Sequence, residues 1–217
     1  MNNMEQARFN MIEQQIRPWD VQDMRVLNLL SLVKREQFVP AGRQALAFMD
    51  IEIPLGFGAA MWQPKLEARV LHELHIQSTE NVLEVGTGSG YLTALLSRLA
   101  AHITSVEIVP ELSTQASHNL AIHGLDNILL QVGDAATSWG TNKYDVIVLT
   151  GSVPVYPKAY LQQLNTGGRL FAIVGDAPAM EAKVVTRLSA DVFENVTLFE
   201  TNVKPLQNAL QPQRFVF

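Results

Sequence analysis

Residues 81–91, NVLEVGTGSGY, constrain the fold of this chain more than any other stretch. An apolar run from Asn81 to Val85 ends on glycines at 86, 88 and 90, and a helical run, YLTALLSRLA, begins at Tyr91. Glycines so placed permit positive φ and let a ligand approach the backbone closely. The helix N-terminus behind them favours a negative group such as a carboxylate or phosphate. Strand, glycine turn and helix in this order predict the first unit of a parallel α/β sheet.

The same alternation continues downstream. HITSVEIV (102–109) reads as a second strand, and Pro110 can begin the next helix. NILLQVGD (127–134) is a third strand and YDVIVLTG (144–151) a fourth. GGRLFAIVGD (167–176) is a fifth, after a helix near Tyr156–Leu164, and AKVVTRLSA and DVFENVTLFE look like two final strands. The pattern predicts an α/β fold with a doubly wound, mostly parallel sheet covered on both faces. Upstream, helices are expected from Glu5 to about Ile16, from Asp20 to about Val33, and from Gln63 to Leu74. Between the last two lies PLGFGAAMWQP (54–64), whose glycines and prolines read as a loop. With no repeat, low-complexity tract or linker, residues 1–217 are expected to form a single domain. Residues 1–77 would carry the N-terminal helices and the loop, and 78–217 the Rossmann-like core.

Composition removes several classes of function. A chain of 217 residues that is 47% hydrophobic can bury a sizeable core. The absence of cysteine excludes disulfides, thiolate metal sites and cysteine nucleophiles. Of the five histidines, His72 and His75 are three apart, but they read as exposed helix surface, so no metal site is expected. A net charge of −5 argues against a nucleic-acid binder. The polar N-terminus has no signal-peptide core, and no run approaches the ~20 apolar residues of a membrane span. A soluble, cytoplasmic protein without membrane association is expected.

Ligands of doubly wound sheets sit at the carboxyl ends of the strands, and candidate groups collect there. The turn supplies Gly86, Thr87, Gly88, Ser89 and Gly90. Glu107, ending the second strand, can accept from both hydroxyls of a ribose, and Asp134, followed by Ala135, from an adenine amino group. Nicotinamide dehydrogenases use a similar turn, but their fingerprint is G-x-G-x-x-G, and here the third glycine comes one residue early. Glu84, just before the turn, would repel a pyrophosphate and favour a ligand carrying an ammonium and a sulfonium. S-adenosyl-L-methionine matches this set piece by piece and is the expected cofactor.

The chain resembles the protein-L-isoaspartate O-methyltransferases over nearly its whole length. The likeness is carried by VLNLLSLVKREQFVP, IPLGFG, VLEVGTGSGYLTALLSRL, SVE, the GD at 133–134, YDVIVLTGSVPVYP, LNTGGRLFAIVG and VKPL at 203–206. It implies a seven-stranded methyltransferase sheet with a reversed last strand. It also implies S-adenosyl-L-methionine as methyl donor and the isoaspartyl carboxylate of damaged proteins as acceptor, a repair reaction on a peptide or protein substrate. Such a carboxylate is already ionised and needs no general base. His102 and His123, the histidines nearest the strand ends, read as surface positions at element boundaries.

Members of that family usually carry Thr-Ile-Ser in the loop before the third helix; here the positions are Ala60, Met61 and Trp62. Thr150 still offers a hydroxyl after the fourth strand. Three readings stay open from the sequence: isoaspartyl methylation through backbone donors and Thr150, methylation of another acceptor, or cofactor binding without catalysis. The tail QNALQPQRFVF, with Phe215 and Phe217, reads as a closing strand or flap, or as a docking peptide for a partner.

Overall fold

The computed structural model describes residues 3–212. Helix α1 (Asn3–Met11) runs on as a wider turn, Ile12–Ile16, and stops at Pro18, which cannot donate to a continuing helix. Helix α2 (Met24–Leu32) starts where the Asp23 carboxylate accepts from the backbone N–H of Arg25 at 2.8 Å. Helix α3 (Pro64–Leu74) opens on proline, whose missing N–H costs nothing there, and ends at His75 in the left-handed region.

Residues 54–64 do not form an open loop. Strands β1 (Ile53–Gly56) and β2 (Ala59–Met61) pair as an antiparallel hairpin with a bulge at Leu55. Its tip is Phe57-Gly58, both at positive φ, a geometry that matches the twist of the flanking strands.

The main sheet holds seven strands: β3 (Asn81–Val85), β4 (His102–Glu107), β5 (Ile128–Val132), β6 (Tyr144–Val153), β7 (Leu164–Asp176), β8 (Ala179–Arg187) and β9 (Phe193–Thr201). Their order is β5-β4-β3-β6-β7-β8-β9, and the first five of these run parallel. β8 is antiparallel to both its neighbours, so the reversed strand is the sixth, and the last strand again points with the parallel set. The tight β7–β8 and β8–β9 connections force this, since parallel neighbours need a long crossover.

The chain moves outward from β3 to β5 and returns to β6 on β3's other side. This crossing opens a crevice at the strand ends. Val82, Ile103, Val146 and Phe171 pack on one face against helices α1 to α3, α4 (Tyr91–Ser97) and α5 (Pro110–Ala121). Leu83, Val85, Ile147 and Leu170 pack on the other with Tyr160 of α6 (Lys158–Gln162) and Ala209. Phe215 and Phe217 lie outside the described residues. Among those described, no helix is long and apolar enough to cross a membrane.

Candidate active site

A solvent-open cleft of about 1000 Å³ lies across the carboxyl ends of β3, β4, β5 and β6. Its floor is the glycine turn. Gly86 donates to the Val106 carbonyl at 2.8 Å, and Gly90 closes the turn onto the Thr87 carbonyl at 2.9 Å. The Thr87 hydroxyl meets that of Ser105 at 2.6 Å, while Ser89 lines the cleft through the same turn. Gly86 (φ 98°) has no room for a side chain, because an added Cβ would stand 2.1 Å from the Thr150 hydroxyl.

The two expected acids stand along one side. Glu107 is 4% exposed; its Oε2 accepts from Gly88 N–H at 2.8 Å and its Oε1 from Val109 N–H at 3.1 Å. Two anchored oxygens fix the carboxylate while leaving each a further lone pair. Asp134 accepts from Ala136 N–H at 3.0 Å and from the Asn208 amide at 2.8 Å. Ala135 and Ile108 line the cleft beside these acids.

Two expected cofactor contacts fall elsewhere. Glu84 is wholly buried beneath the turn and does not line the cleft. Its Oε2 accepts from Thr93 at 2.5 Å and Ser105 at 2.6 Å, while Oε1 has no partner. Burial pushes its pKa up to about 8, against the pull of those hydrogen bonds, so at neutrality it is a neutral acid. Strand parity is the reason: Val85 turns to the cleft and Glu84 to the opposite face, under α4. Gly90 lies outside the lining too, and its lack of a side chain lets Leu120 and Ala116 of α5 close on the turn.

Ala60, Met61 and Trp62 do form a wall of the cleft. Met61 and Trp62 are buried, and Trp62 meets Phe171 edge-on at 6.1 Å between centroids. Thr150 lines the cleft opposite, but its hydroxyl points at the carbonyls of Val85 and Gly86, both at 2.8 Å. Its single proton is committed to the turn, so it can accept a hydrogen bond from a ligand but has none to donate. His102 and His123 do not line the cleft, and His123 stacks on Phe38. Among the described residues no group of His, Asp and Glu could hold a metal ion.

Sequence reasoning missed two contributors. The segment Lys204–Gln207 covers the open side, held by Ser152 bonding to the Lys204 carbonyl and by Gln207 reaching the Phe57 carbonyl at 3.2 Å. Nothing local in VKPLQN marks this, because the contacts span more than 50 residues. Glu67 enters from α3, and here a signal existed: it falls within the helix's apolar stripe of Leu66, Val70, Leu71 and Leu74.

With this geometry in place, comparison with known proteins is decisive. Residues 6–209 match the family described as Protein-L-isoaspartate(D-aspartate) O-methyltransferase (PCMT). The chain belongs to that family. A protein-L-isoaspartate O-methyltransferase of Methanoculleus marisnigri is 40% identical over 182 residues, 83% of either chain. A second from Marinobacter nauticus is 34% identical over 206 residues, 94% of either chain. The fold is shared with a Plasmodium falciparum protein assigned to the PCMT enzymes and crystallised with S-adenosyl-L-homocysteine. That likeness has a TM-score of 0.80 at 18% identity, over 95% of this chain and 99% of the other. Within this PCMT chain, the cleft walls come from both the N-terminal portion and the sheet.

Proposed function

We infer that this chain is a protein-L-isoaspartate O-methyltransferase that uses S-adenosyl-L-methionine to esterify the side-chain carboxylate of isoaspartyl residues in damaged proteins. The observation that carries this reading is family membership over 6–209 in a chain whose strand-end cleft suits that cofactor.

The lining charges fit. Glu52, Glu67, Glu107 and Asp134 face the cleft against one cation, Lys204, among the described residues. This balance welcomes a ligand bearing a sulfonium and an ammonium, and opposes a pyrophosphate. Glu107 would hold the ribose hydroxyls and Asp134 the adenine amino group, with Ile108 and Ala135 giving the base apolar surroundings. Gly86 and Gly88 keep the backbone bare where the amino-acid portion would lie. Bound S-adenosyl-L-methionine supplies an electrophilic methyl group.

The protein's part is positioning and the exclusion of water. A carboxylate acceptor arrives ionised, which suits a cleft with no histidine in its lining. Ala60 and Trp62 offer no hydroxyl and Thr150 no free proton, so the acceptor would rest on the apolar wall of Met61 and Trp62 and take its hydrogen bonds from backbone N–H groups. Residues 1–77 and 78–217 would act as one unit, since both shape the cleft. The expected substrates are cytoplasmic proteins carrying isoaspartyl damage.

Incubation with methyl-labelled S-adenosyl-L-methionine and an isoaspartyl peptide tests the reading. Label released as methanol in mild base identifies a carboxyl ester. Label that is absent, or stable to base, contradicts it.

A further inference from the structure

Helix α3 presents a carboxylate to the cleft from behind the acceptor wall. Glu67 is 3% exposed and lines the cleft beside Met61 and Trp62. It pairs with Arg35, which is 1% exposed and does not line the cleft. Arg35 also donates to the Trp62 carbonyl at 2.5 Å and lies 5.0 Å over the Tyr91 ring, so its place is fixed. The pair is therefore oriented, with its cation in the protein and its anion toward the cleft. Arg35 offsets part of that anion's field, and in such buried surroundings the remainder is weakly screened.

The two forms of the cofactor differ by one charge. Adenine, ribose, ammonium and carboxylate are common to S-adenosyl-L-methionine and S-adenosyl-L-homocysteine; transfer of the methyl converts a sulfonium cation to a neutral thioether. Glu107 and Asp134, committed to ribose and adenine, cannot tell the forms apart by contact. A carboxylate near the methyl-bearing end can.

We propose that Glu67 discriminates cofactor from spent product, its carboxylate favouring the sulfonium over the thioether and so promoting product release. The proposal rests on the cofactor assignment above. The charged and titratable groups around Glu67 are Arg35 from the turn at 35–37, Tyr91 from α4, and Glu84 from β3, with Arg8, Glu36 and Glu107 beyond. Burial pushes Glu67 up to about 7, with Arg35 pulling the other way. Near neutrality the group is thus part-protonated, and a cation in the cleft draws the proton off. Binding of the sulfonium form releases protons, and preference for it grows as pH rises through about 7.

Isothermal titration calorimetry on the full chain tests this with both nucleosides, at about pH 6 and about pH 8, in buffers of differing ionisation heat. In the wild type the ratio of dissociation constants, homocysteine form over methionine form, rises roughly tenfold across that interval. In Glu67→Gln the rise disappears; the titration of the ligands' own amines is common to both proteins and cancels in the comparison. At neutral pH the excess of protons released on binding S-adenosyl-L-methionine over its product is larger in the wild type than in Glu67→Gln. An equal rise in wild type and variant, or an equal excess in the two proteins, overturns the proposal. If Glu67→Gln does not fold, with Arg35 left uncompensated, the double variant Arg35→Met/Glu67→Gln takes its place in the same comparison. Failure to bind S-adenosyl-L-methionine at any pH would overturn the functional reading and this inference together, whereas binding with an unchanged ratio overturns only the inference.

Discussion

The Thr150 hydroxyl donates to the Gly86 carbonyl at 2.8 Å, and a Cβ on that glycine would lie 2.1 Å from the same oxygen. The end of β6 and the start of the turn are thus locked together by a contact that only glycine allows. Gly86→Ala is expected to displace Thr150 and strain a backbone at φ 98°. The stability loss should be roughly 1–3 kcal/mol, read by urea unfolding. Cofactor affinity, read by calorimetry, should fall by at least about tenfold, since the same shift moves the floor of the cleft.

Beneath that floor, Glu84 makes stability depend on pH. Its folded pKa of about 8 exceeds the ordinary glutamate value of 4.5, so the folded state holds a proton the unfolded chain loses. The resulting stabilisation is full below about 4.5 and is lost as pH rises toward about 8. Glu84→Gln keeps an acceptor for Thr93 and Ser105 and removes the ionisable proton. It should flatten the decline in urea midpoint over that window, leaving the variant more stable than wild type at the alkaline end.

How much of this was legible in the sequence differs from feature to feature. The strands and the turn could be read because apolar runs end on glycine at regular spacing. The hairpin at 53–61 could not, because Gly, Ala and Pro are poor strand formers and the tip places Phe57, a residue type that disfavours it, at positive φ. Glu84 was placed correctly on its strand, but not beneath the turn, because a strand buried on both faces shows no alternation to say which side meets the cleft. The Arg35–Glu67 pair joins positions 32 apart, and only the charge within an apolar stripe hints at it.

Trp62 fills the place where the family usually has a serine, and it does so as a packed side chain, 6% exposed against Phe171. Trp62→Ala should cost about 3–5 kcal/mol through the cavity it leaves. Because the proposed adenosine contacts lie at Glu107 and Asp134, cofactor affinity should change little while kcat/KM for an isoaspartyl peptide falls. Calorimetry beside steady-state kinetics separates the two.

Asn208 ties the segment covering the cleft to Asp134. In Asn208→Ala that tie is gone, and the cofactor should dissociate several-fold faster with its association rate little altered. Such a change is about 1 kcal/mol, the ordinary net worth of one hydrogen bond, as befits an exposed pair. Stopped-flow displacement by excess unlabelled product reads the rate.

The central claim is that a cleft without hydroxyl donors on its acceptor wall still esterifies isoaspartyl side chains. The most direct measurement is mass spectrometry of two peptides identical except for an isoaspartyl or an aspartyl linkage, each incubated with the full chain and S-adenosyl-L-methionine. A methyl ester on the isoaspartyl peptide alone is the expected result. No ester on either, in a sample whose thermal shift shows the cofactor bound, would mean that Ala60 and Trp62 have cost the chain this substrate.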